Sequence, residues 1–402
     1  MSTTTQSTAQ ALAPRRSLLI GSAAHIVQDG LTATIYVLLP LLAQSFGLSY
    51  AQVGLFKGLK SVAQGLLETL SGFITERTGE VRLLFLGLLL SAAGYGLVAL
   101  ATGPVMVLIC LAIIGAGTAL HHAPSSALIV GAYPDKGRRG ALGLYNSSGD
   151  VGKLAFTGLF SLAIGVGLAW QEISIAFAAM AVVAAAAILM AGRALTVAGA
   201  TATDSASDDT ATGWGILNWR AFSLLFAGVF LDTAVQAGVL VFVAFLMIDK
   251  GVALHLATLA TVVLLIGGVF GKAFCGFLAD RIGIRRAFAA VQVLTAVGLV
   301  AIVVAPEWLV YVILLPLGAV AQGSSSVTYA VVADLVHPKR MARGYALVYG
   351  ASSYSSAAGP LGFGVIADAF GIGSAIYVMA AIALVSAVPV YMVPRKVGQR
   401  AA

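Results

Sequence analysis

Gly72-Phe73-Ile74-Thr75-Glu76-Arg77-Thr78-Gly79 returns 204 residues later (276 − 72) as Gly276-Phe277-Leu278-Ala279-Asp280-Arg281-Ile282-Gly283. A second pair of motifs has the same offset, since Arg139-Gly140 returns as Arg343-Gly344 (343 − 139). One offset at two separate places indicates that a whole bundle of the chain has been duplicated. The repeated stretches combine glycines with charged residues, which predicts that they lie in turns facing water.

The composition of the chain is that of a membrane protein. Hydrophobic residues make up 59% of the 402 residues and charged residues only 10%, whereas an ordinary soluble domain has roughly 25% charged residues. Apolar runs long enough to cross a bilayer, about 20 residues each, fall near residues 17–40, 49–71, 83–102, 105–130, 141–165, 172–192, 221–246, 255–278, 287–305, 308–333, 344–367 and 373–393. We therefore expect an all-α integral membrane protein with twelve transmembrane helices in two pseudo-symmetric six-helix bundles. Such duplicated halves are typical of secondary transporters, whose substrate sites lie where the halves meet.

The charged residues predict how the chain is divided and oriented. Of 23 Lys and Arg residues, 18 lie in the termini or the even-numbered loops, so the positive-inside rule places both termini in the cytoplasm. We predict a multi-pass protein of the cytoplasmic (inner) membrane, with the first span retained because no cleavage site follows it. The expected segments are an N-terminal tail (1–16), an N-terminal bundle (17–192), a polar linker (193–220), a C-terminal bundle (221–393) and a C-terminal tail (394–402).

Several classes of function are not supported by the sequence. The net charge of +7 comes from loop residues placed by the membrane, so no nucleic-acid partner is expected. The two cysteines, Cys110 and Cys275, lie in predicted spans, which argues against a disulfide frame or a thiolate metal site. A phosphate-binding P-loop and a hydrolase-like set of nucleophile, base and acid are both missing from the sequence, so we expect neither an ATP-driven pump nor an enzyme, and no cofactor.

The motifs at Gly72 and Gly276 resemble the signature of the major facilitator superfamily, found between its second and third and its eighth and ninth helices. The resemblance covers essentially the whole chain. It implies a gate in which the acids and arginines of the motifs, Glu76 with Arg77 and Asp280 with Arg281, hold the cytoplasmic helix ends together in one state. Glu68 and Lys272 are repeat mates (272 − 68) one turn before the motifs, and we expect them either to pair as part of this gate or, for Glu68, to pair with Lys57 or Lys60.

Within that superfamily the chain resembles the branch that contains the fosmidomycin-resistance exporter. The resemblance rests on His25-x-x-Gln28-Asp29 in helix 1, His122-x-x-Ser125-Ser126 in helix 4 and Gly149-x-x-Gly152 in helix 5. Pro124 and Lys153 depart from the pattern of that branch. The Gly-Pro motif of antiporters is missing from helix 5, which favours uptake by symport over drug antiport.

His25 and Asp29 are the candidates for proton coupling. They are four residues apart and therefore share one face of helix 1. A histidine beside a carboxylate can change its charge in the physiological pH range. The alternative is a structural hydrogen bond that ties helix 1 to a neighbour, since polar residues in membranes also join helices.

Three lysines in the first half predict an anionic substrate. Lys57 and Lys60 share a face of helix 2, and Lys153 lies in helix 5, three residues after Asp150. Their repeat mates, in the same order, are Thr261, Leu264 and Ala357. A charge present in only one copy of a duplicated scaffold favours a substrate site over a structural role. The alternative for Lys153 is an internal ion pair with Asp150.

Further candidate substrate contacts are polar residues inside the predicted spans. Of the adjacent His121 and His122, only one is expected to face the cavity, and His122 is preferred because the family has histidine there. The other candidates are Asp150, Asp232, Gln236, Tyr349 and Tyr354. A divalent metal held by His25, Asp29, His122 and Asp150 is the less favoured interpretation, because the lysines would share that cavity, and no metal is predicted.

The sequence thus predicts a secondary active transporter of a small organic anion, a carboxylate or phosphonate, coupled to protons and working by rocking of two bundles. Its expected partners are a small-molecule substrate, protons and membrane lipid, and we expect a monomer. One alternative is a proton-coupled exporter of drugs or toxic compounds. Another is a membrane sensor or assembly factor that transports nothing.

Overall fold

The computed structural model describes residues 2–133, 135–196, 214–337 and 341–394, which are almost entirely helical. The helices are α1 (Ser2–Phe46), α2 (Tyr50–Thr78), α3 (Glu80–Ala99), α4 (Pro104–Ala119), α5 (His122–Ala132), α6 (Asp135–Gly165), α7 (Trp170–Thr196), α8 (Trp219–Asp249), α9 (Leu254–Ile282), α10 (Ile284–Val304), α11 (Glu307–Leu335), α12 (Met341–Phe370) and α13 (Ile372–Met392). Helices α4 and α5 form one interrupted span, Pro104–Ala132. The twelve predicted transmembrane helices are therefore confirmed.

Three spans differ from the others in composition. Among the described residues, nine helical segments are both long and apolar enough to cross a membrane. The remaining helices α2, α6 and α12 have 29, 31 and 30 residues, so they are long enough as well. Their polarity sets them apart, since α2 contains Lys57 and Lys60 and α6 contains Asp150 and Lys153. The charges that cost most inside a bilayer are thus concentrated in a few helices, as expected for functional residues.

The turns between helices repeat the sequence duplication in their backbone geometry. Positive φ angles occur at Gly47 and Gly251 (62° and 85°), at Gly79 and Gly283 (82° and 83°), and at Gly167 and Gly371 (93° and 85°). Each pair is 204 residues apart (251 − 47, 283 − 79 and 371 − 167). Glycine adopts this left-handed conformation without the steric cost that a side chain would bring. The duplication therefore includes the turns at which the helices reverse direction.

The described residues form two compact units. The first lies within Met1–Ile35 and Val62–Ser207, and the second within Tyr36–Ser61 and Asp208–Ala402. The hairpin Tyr36–Ser61, which lies within the predicted N-terminal bundle, belongs to the second unit. The predicted bounds of the two bundles stay a prediction. This hairpin lies close to α12, since a Cβ atom added at Gly54 would come within 2.3 Å of the carbonyl oxygen of Pro360. Lys57 and Lys60 are therefore part of the second unit.

A carboxylate at the end of α12 caps the first turn of α2 within this second unit. Asp368 Oδ1 accepts a hydrogen bond from the backbone N–H of Tyr50 at 2.8 Å, and Oδ2 accepts one from Ala51 at 2.9 Å. Burial by itself would raise the pKa of Asp368, but the bonds from Ala51, the Ser49 side chain and Tyr50 outweigh burial and hold the pKa below its usual value. A negative charge at a helix N-terminus is also favoured by the helix dipole.

Candidate functional site

Asp29 is the centre of a charged cluster inside the first unit. Its carboxylate is 5% exposed, although it lies in the middle of a transmembrane helix. His25, one turn earlier on α1, places Nε2 3.2 Å from Asp29 Oδ2. The contact predicted from the four-residue spacing is therefore confirmed. We call Asp29, His25, His121, His122, Asp150 and Lys153 the Asp29 cluster.

A break in the fourth span brings two histidines to the same carboxylate. Nε2 of His121 lies 3.1 Å from Asp29 Oδ1, and Nε2 of His122 lies 3.9 Å from it. Helix α4 ends at Ala119 and α5 begins at His122, so the two residues do not diverge as they would on a continuous helix. Both imidazoles contact Asp29, and His121 makes the closer contact, while the His122 side chain is the more exposed, 39% against 2%. The preference for His122 as the residue that faces the cavity stays a prediction.

Lys153 supplies the permanent positive charge of the cluster. Its Nζ lies 3.1 Å from Asp29 Oδ2 and 3.3 Å from Asp150 Oδ1. The predicted pair with Asp150 is confirmed, and the second carboxylate, Asp29, was not expected as a partner of Lys153. The lysine charge is therefore matched by two carboxylates within the membrane-spanning region.

Two glycines of α6 let this helix approach α1. A Cβ atom at Gly149 would lie 2.5 Å from His25 Nε2 and 2.8 Å from Asp29 Oδ2. At Gly152 it would lie 2.1 Å from the carbonyl oxygen of Ile26. The Gly149-x-x-Gly152 motif therefore makes room for the charged side chains and brings Lys153 onto them.

The contacts of Nδ1 in His25 and His121 indicate which nitrogen of each ring carries a hydrogen. Nδ1 of His25 lies 2.9 Å from the carbonyl oxygen of Tyr145, and Nδ1 of His121 is bonded to the carbonyl oxygen of Thr118. A carbonyl oxygen only accepts hydrogen bonds, so each Nδ1 carries a hydrogen. In a charged ring, Nε2 also carries a hydrogen and donates it to the Asp29 carboxylate. In a neutral ring, Nε2 presents a lone pair, which the carboxylate repels. The geometry thus favours a proton on the Nε2 side.

The net charge of the Asp29 cluster also favours one added proton. Two carboxylates and one ammonium leave one negative charge when all three histidines are neutral. One added proton makes the cluster neutral, which is the least costly state at bilayer depth.

The same side chains have the composition of a transition-metal site. One ligand atom from each of His25, Asp29, His121 and His122 lies within 4.8 Å of every other, and imidazole with carboxylate suits several divalent metals. The Lys153 ammonium occupies one oxygen of the same carboxylate, and a divalent ion would face its charge. The expectation that the protein uses no metal stays a prediction.

Asp232 is the centre of a second buried cluster, inside the second unit. The carboxylate is 4% exposed and accepts three hydrogen bonds. Gln292 Nε2 donates to Oδ1 at 2.6 Å, while Ser324 Oγ and Gln236 Nε2 each donate to Oδ2 at 2.8 Å. We call these four residues the Asp232 cluster. The structure confirms the contact between Asp232 and Gln236, and their role in binding substrate stays a prediction.

Lys57 has a different environment from Lys153. It is 5% exposed, and its Nζ donates to Ser61 Oγ at 2.6 Å and lies 5.5 Å from the centre of the Tyr36 ring. Both partners are neutral, and no carboxylate lies within ion-pair distance of Lys57 among the residues that the structure describes. Lys60, one turn later, is also buried.

The other predicted site residues stay predictions. Tyr349 and Tyr354 are 46% and 42% exposed. The predicted gate residues Asp280 and Arg281 are exposed as well, and the Arg281 guanidinium lies over the Phe277 ring at 4.6 Å. Arg77 is exposed, and the side chain of Glu76 lies outside the described residues. Glu68 belongs to the first unit and Lys272 to the second, so their predicted pairing is untested.

Three residues of these clusters were missed from the sequence. His121 was set aside because a continuous helix 4 would turn it away from the cavity. Gln292 and Ser324 are isolated polar residues of α10 and α11, and only their convergence on Asp232 distinguishes them. Polar side chains in apolar helices were a usable signal for both, although they did not identify a common partner.

Comparison with known families agrees with this architecture. A family model described as Major Facilitator Superfamily matches residues 21–225 and again 224–402, once for each half of the chain. The chain belongs to the major facilitator superfamily. It is therefore a multi-pass membrane transporter of a superfamily whose members are not enzymes.

Relatives within the major facilitator superfamily extend over the full chain or over parts of it. The uncharacterized MFS-type transporter YfnC of Bacillus subtilis (strain 168) is 24% identical over 361 residues, 88% of this chain and 87% of the relative. The fosmidomycin resistance protein of Escherichia coli (strain K12) is 30% identical over 105 residues, 26% of each chain. The multidrug resistance protein MdtH of Yersinia enterocolitica is 31% identical over 99 residues, 24% of this chain and 25% of the relative.

Solved structures agree with the fold. A bacterial homologue of the human lysosomal transporter Spinster, in an inward-facing and unoccupied conformation, superposes with a TM-score of 0.74. The match covers 96% of this chain and 97% of that chain at 16% identity. The same homologue in an occupied conformation gives a TM-score of 0.72. At this identity the likeness shows the major facilitator fold alone.

Proposed function

We propose that this transporter moves a small organic anion, a carboxylate or a phosphonate, and couples that movement to protons. Transport occurs by alternating access, in which the two bundles rock against each other in the cytoplasmic membrane. The protein acts as a monomer with both termini in the cytoplasm. The observation that carries the proposal is the Asp29 cluster, in which two carboxylates face one ammonium and three imidazoles.

The coupling step requires a group that changes charge inside the membrane. His25 and His121 both direct Nε2 to Asp29, with their Nδ1 atoms engaged by backbone carbonyls. Protonation of either ring converts a repulsive contact into a charge-assisted hydrogen bond, which shortens and strengthens the contact. Release of the proton weakens the connection of α1 to the α4–α5 break, so proton binding and helix position are linked.

The charge of the substrate is inferred from Lys57. A buried ammonium with only neutral partners is unfavourable unless an anion approaches it. Lys153 is already matched by Asp29 and Asp150, so the attraction of an anion rests on Lys57. The repeat mate of Lys57 is Thr261, which supports a role specific to one half of the scaffold.

A second candidate is the export of drugs or toxic compounds in exchange for protons. It is supported by the partial matches to the fosmidomycin resistance protein and the multidrug resistance protein MdtH. The Asp29 cluster would serve this function equally well, since only the substrate differs. A membrane sensor or assembly factor, the third possibility, would transport nothing.

Counterflow in liposomes tests the proposal. Purified protein is reconstituted and loaded with members of a panel that contains small carboxylates, phosphonates including fosmidomycin, and lipophilic cations. We expect saturable counterflow with an anion. Counterflow of lipophilic cations alone would contradict the anion proposal and support drug export. If no member of the panel gave counterflow, the protein would transport neither anions nor drugs.

Lys57→Gln tests the anion contact directly. Truncating one partner of a buried charge contact typically costs 2–5 kcal/mol, about thirty-fold or more in affinity. We expect Lys57→Gln to weaken binding of the anion at least tenfold, measured by thermal shift against ligand concentration. The matched control is Lys250→Gln, since Lys250 donates to the carbonyls of Val303 and Ala305 instead. Equal loss in both variants, or none in Lys57→Gln, would contradict the assignment.

A further inference from the structure

Asp232 is an ionisable group placed among neutral partners. Its hydrogen-bond donors come from three helices: Gln236 on α8, Gln292 on α10 and Ser324 on α11. No lysine, arginine or histidine lies within ion-pair distance of Asp232 in the part of the chain that the structure describes. Burial without a counter-ion disfavours the ionised form of a carboxyl group. Burial thus favours the protonated acid, whereas the three donated hydrogen bonds favour the carboxylate, so both charge states are accessible to Asp232.

The hydrogen bonds around Asp232 can accommodate both of its charge states. Ser324 Oγ lies 2.8 Å from Asp232 Oδ2 and 3.1 Å from the carbonyl oxygen of Ala321. When the carboxyl is ionised, the serine hydroxyl donates to it. When it is protonated, the acid O–H donates to Ser324 Oγ, and the serine hydroxyl turns to the carbonyl of Ala321. No heavy atom has to move in this exchange, because a hydroxyl is both donor and acceptor.

Gln292 provides a second acceptor for the acid proton. Its Oε1 is buried and has no hydrogen-bond partner among the described residues. Turning the amide over would place this oxygen on Asp232 Oδ1, where the present 2.6 Å separation suits an O–H···O bond. An unpaired buried acceptor beside a carboxyl group is satisfied when that group carries a proton.

The neighbours of Asp232 add no positive charge. Cys275 on α9 is a titratable side chain close enough to interact with it electrostatically, and a thiol contributes no cation. Gln292 on α10 faces Asp232 with an amide, and Ser324 on α11 faces it with a hydroxyl. The hydroxyl of Ser355 on α12 donates instead to the backbone carbonyl of Phe230.

The duplication shows that the scaffold does not require an acid here. The repeat mate of Asp232 is Gln28 (232 − 204), which donates to Ser91 through its amide. A neutral side chain at the equivalent place thus joins the helices of the first half. An acid retained in one copy, at the cost of burying it, indicates a role in which the proton itself matters.

We propose that Asp232 is a second proton-binding site of this transporter, separate from the Asp29 cluster. Its part in the transport cycle rests on the proposed proton coupling, whereas its occupancy does not. Oxygen atoms around a carboxylate can also bind Na⁺. The amide N–H of Gln236 directed at Oδ2 favours the proton, since a metal ion needs oxygen ligands.

Infrared spectroscopy of the purified protein tests occupancy without a substrate. The protonated form has a carboxylic-acid carbonyl band that a carboxylate lacks. We expect the spectrum at pH 5 to lose one such band in Asp232→Asn, which keeps the shape of the acid. The matched control is Asp29→Asn, which should keep the band because Asp29 is ion-paired. Identical spectra of parent and Asp232→Asn would overturn the proposal, as would a band removed by adding Na⁺.

A measurement on the parent protein covers the case in which Asp232→Asn does not fold. The band is then followed in unmodified protein from pH 5 to pH 8, and we expect the loss of one acid carbonyl with rising pH. Absence of any acid band at pH 5 would overturn the proposal. In liposomes, Asp232→Asn should lower the number of protons moved per substrate. If no substrate anion is found, the proposed function fails, and the infrared result still decides the protonation of Asp232.

Discussion

Asp29 and Asp232 are buried carboxylates in corresponding parts of the duplicated chain, yet their surroundings are opposite. Asp29 is contacted by two imidazoles and an ammonium, with a third imidazole at 3.9 Å. Asp232 is contacted by two amides and a hydroxyl. Cationic partners favour the carboxylate, whereas burial without a counter-ion favours the acid. One scaffold thus holds the same side chain in two electrostatic environments, and neighbours from other helices decide which one.

The surroundings of Asp29 and Asp232 determine which nearby group can carry a proton. Around Asp29 the groups proposed to take up the proton are the histidines, because the carboxylate is paired with Lys153. Around Asp232 the carboxyl itself must carry any proton, since its contacting side chains do not titrate. The two halves can therefore bind protons by different groups, and substitutions should affect them differently.

The largest effect is expected from removing the charge of Asp29. Asp29→Asn should abolish transport driven by a pH gradient, because the imidazoles lose the carboxylate that stabilises their charged form. Substrate exchange without a gradient should be largely retained. Uptake and exchange are measured in the same liposomes, and undiminished gradient-driven uptake would remove Asp29 from the mechanism.

Lys153→Met should reduce the stability of the fold. It leaves Asp29 and Asp150 without their shared counter-ion, and breaking a buried pair typically costs about 3–5 kcal/mol. Lys153 is partly exposed, so we expect about 2 kcal/mol, seen as a lower melting temperature in detergent. Asp232→Asn is the control with little expected change.

The double variant Lys153→Met/Asp29→Asn completes this comparison. Removing both charges should restore part of the lost stability, because the unpaired carboxylate is gone. A double-mutant cycle measures the coupling between the two side chains. Independent, additive effects would show that the ion pair at 3.1 Å contributes nothing.

A smaller effect is expected from crowding the Asp29 cluster without changing its charge. Gly149→Ala places a methyl group against His25 and Asp29, and overpacking typically costs about 1–3 kcal/mol. We expect roughly tenfold slower gradient-driven transport. Gly158→Ala on the same helix is the matched control, since an added Cβ meets nothing within 4 Å. Equal rates in the two variants would show that the close approach of α6 is unimportant.

The smallest effect concerns Asp368, a carboxylate outside the spans. It serves as a reference for the buried carboxylates Asp29 and Asp232. Its pKa is lowered in the folded protein, so its contribution to stability is present above the usual aspartate pKa of about 3.9 and is lost as pH falls below it. Asp368→Asn should cost about 0.5 kcal/mol at pH 7. The difference from the parent should vanish near pH 3, and a difference independent of pH would contradict the capping interaction.

Local patterns were sufficient for part of the site. The spacing of His25 and Asp29 predicted their contact, and that of Asp150 and Lys153 predicted their ion pair, because one helical turn brings residues three or four apart together. Contacts between helices were not predictable in this way. His121 reaches Asp29 only because the fourth span is broken, and Lys153 reaches it only because Gly149 and Gly152 admit α6 to α1.

The sequence by itself determined the membrane class, the twelve spans, the duplication and the superfamily, because hydropathy, length and repeated motifs are properties of short stretches. Only the tertiary structure decided which charges are paired. It matched Lys153 with two carboxylates, left Lys57 beside neutral groups, and surrounded Asp232 with amides and a hydroxyl. The physical reason is that electrostatic interactions between helices depend on distances of a few ångströms. Those distances are set by packing between residues far apart in the chain.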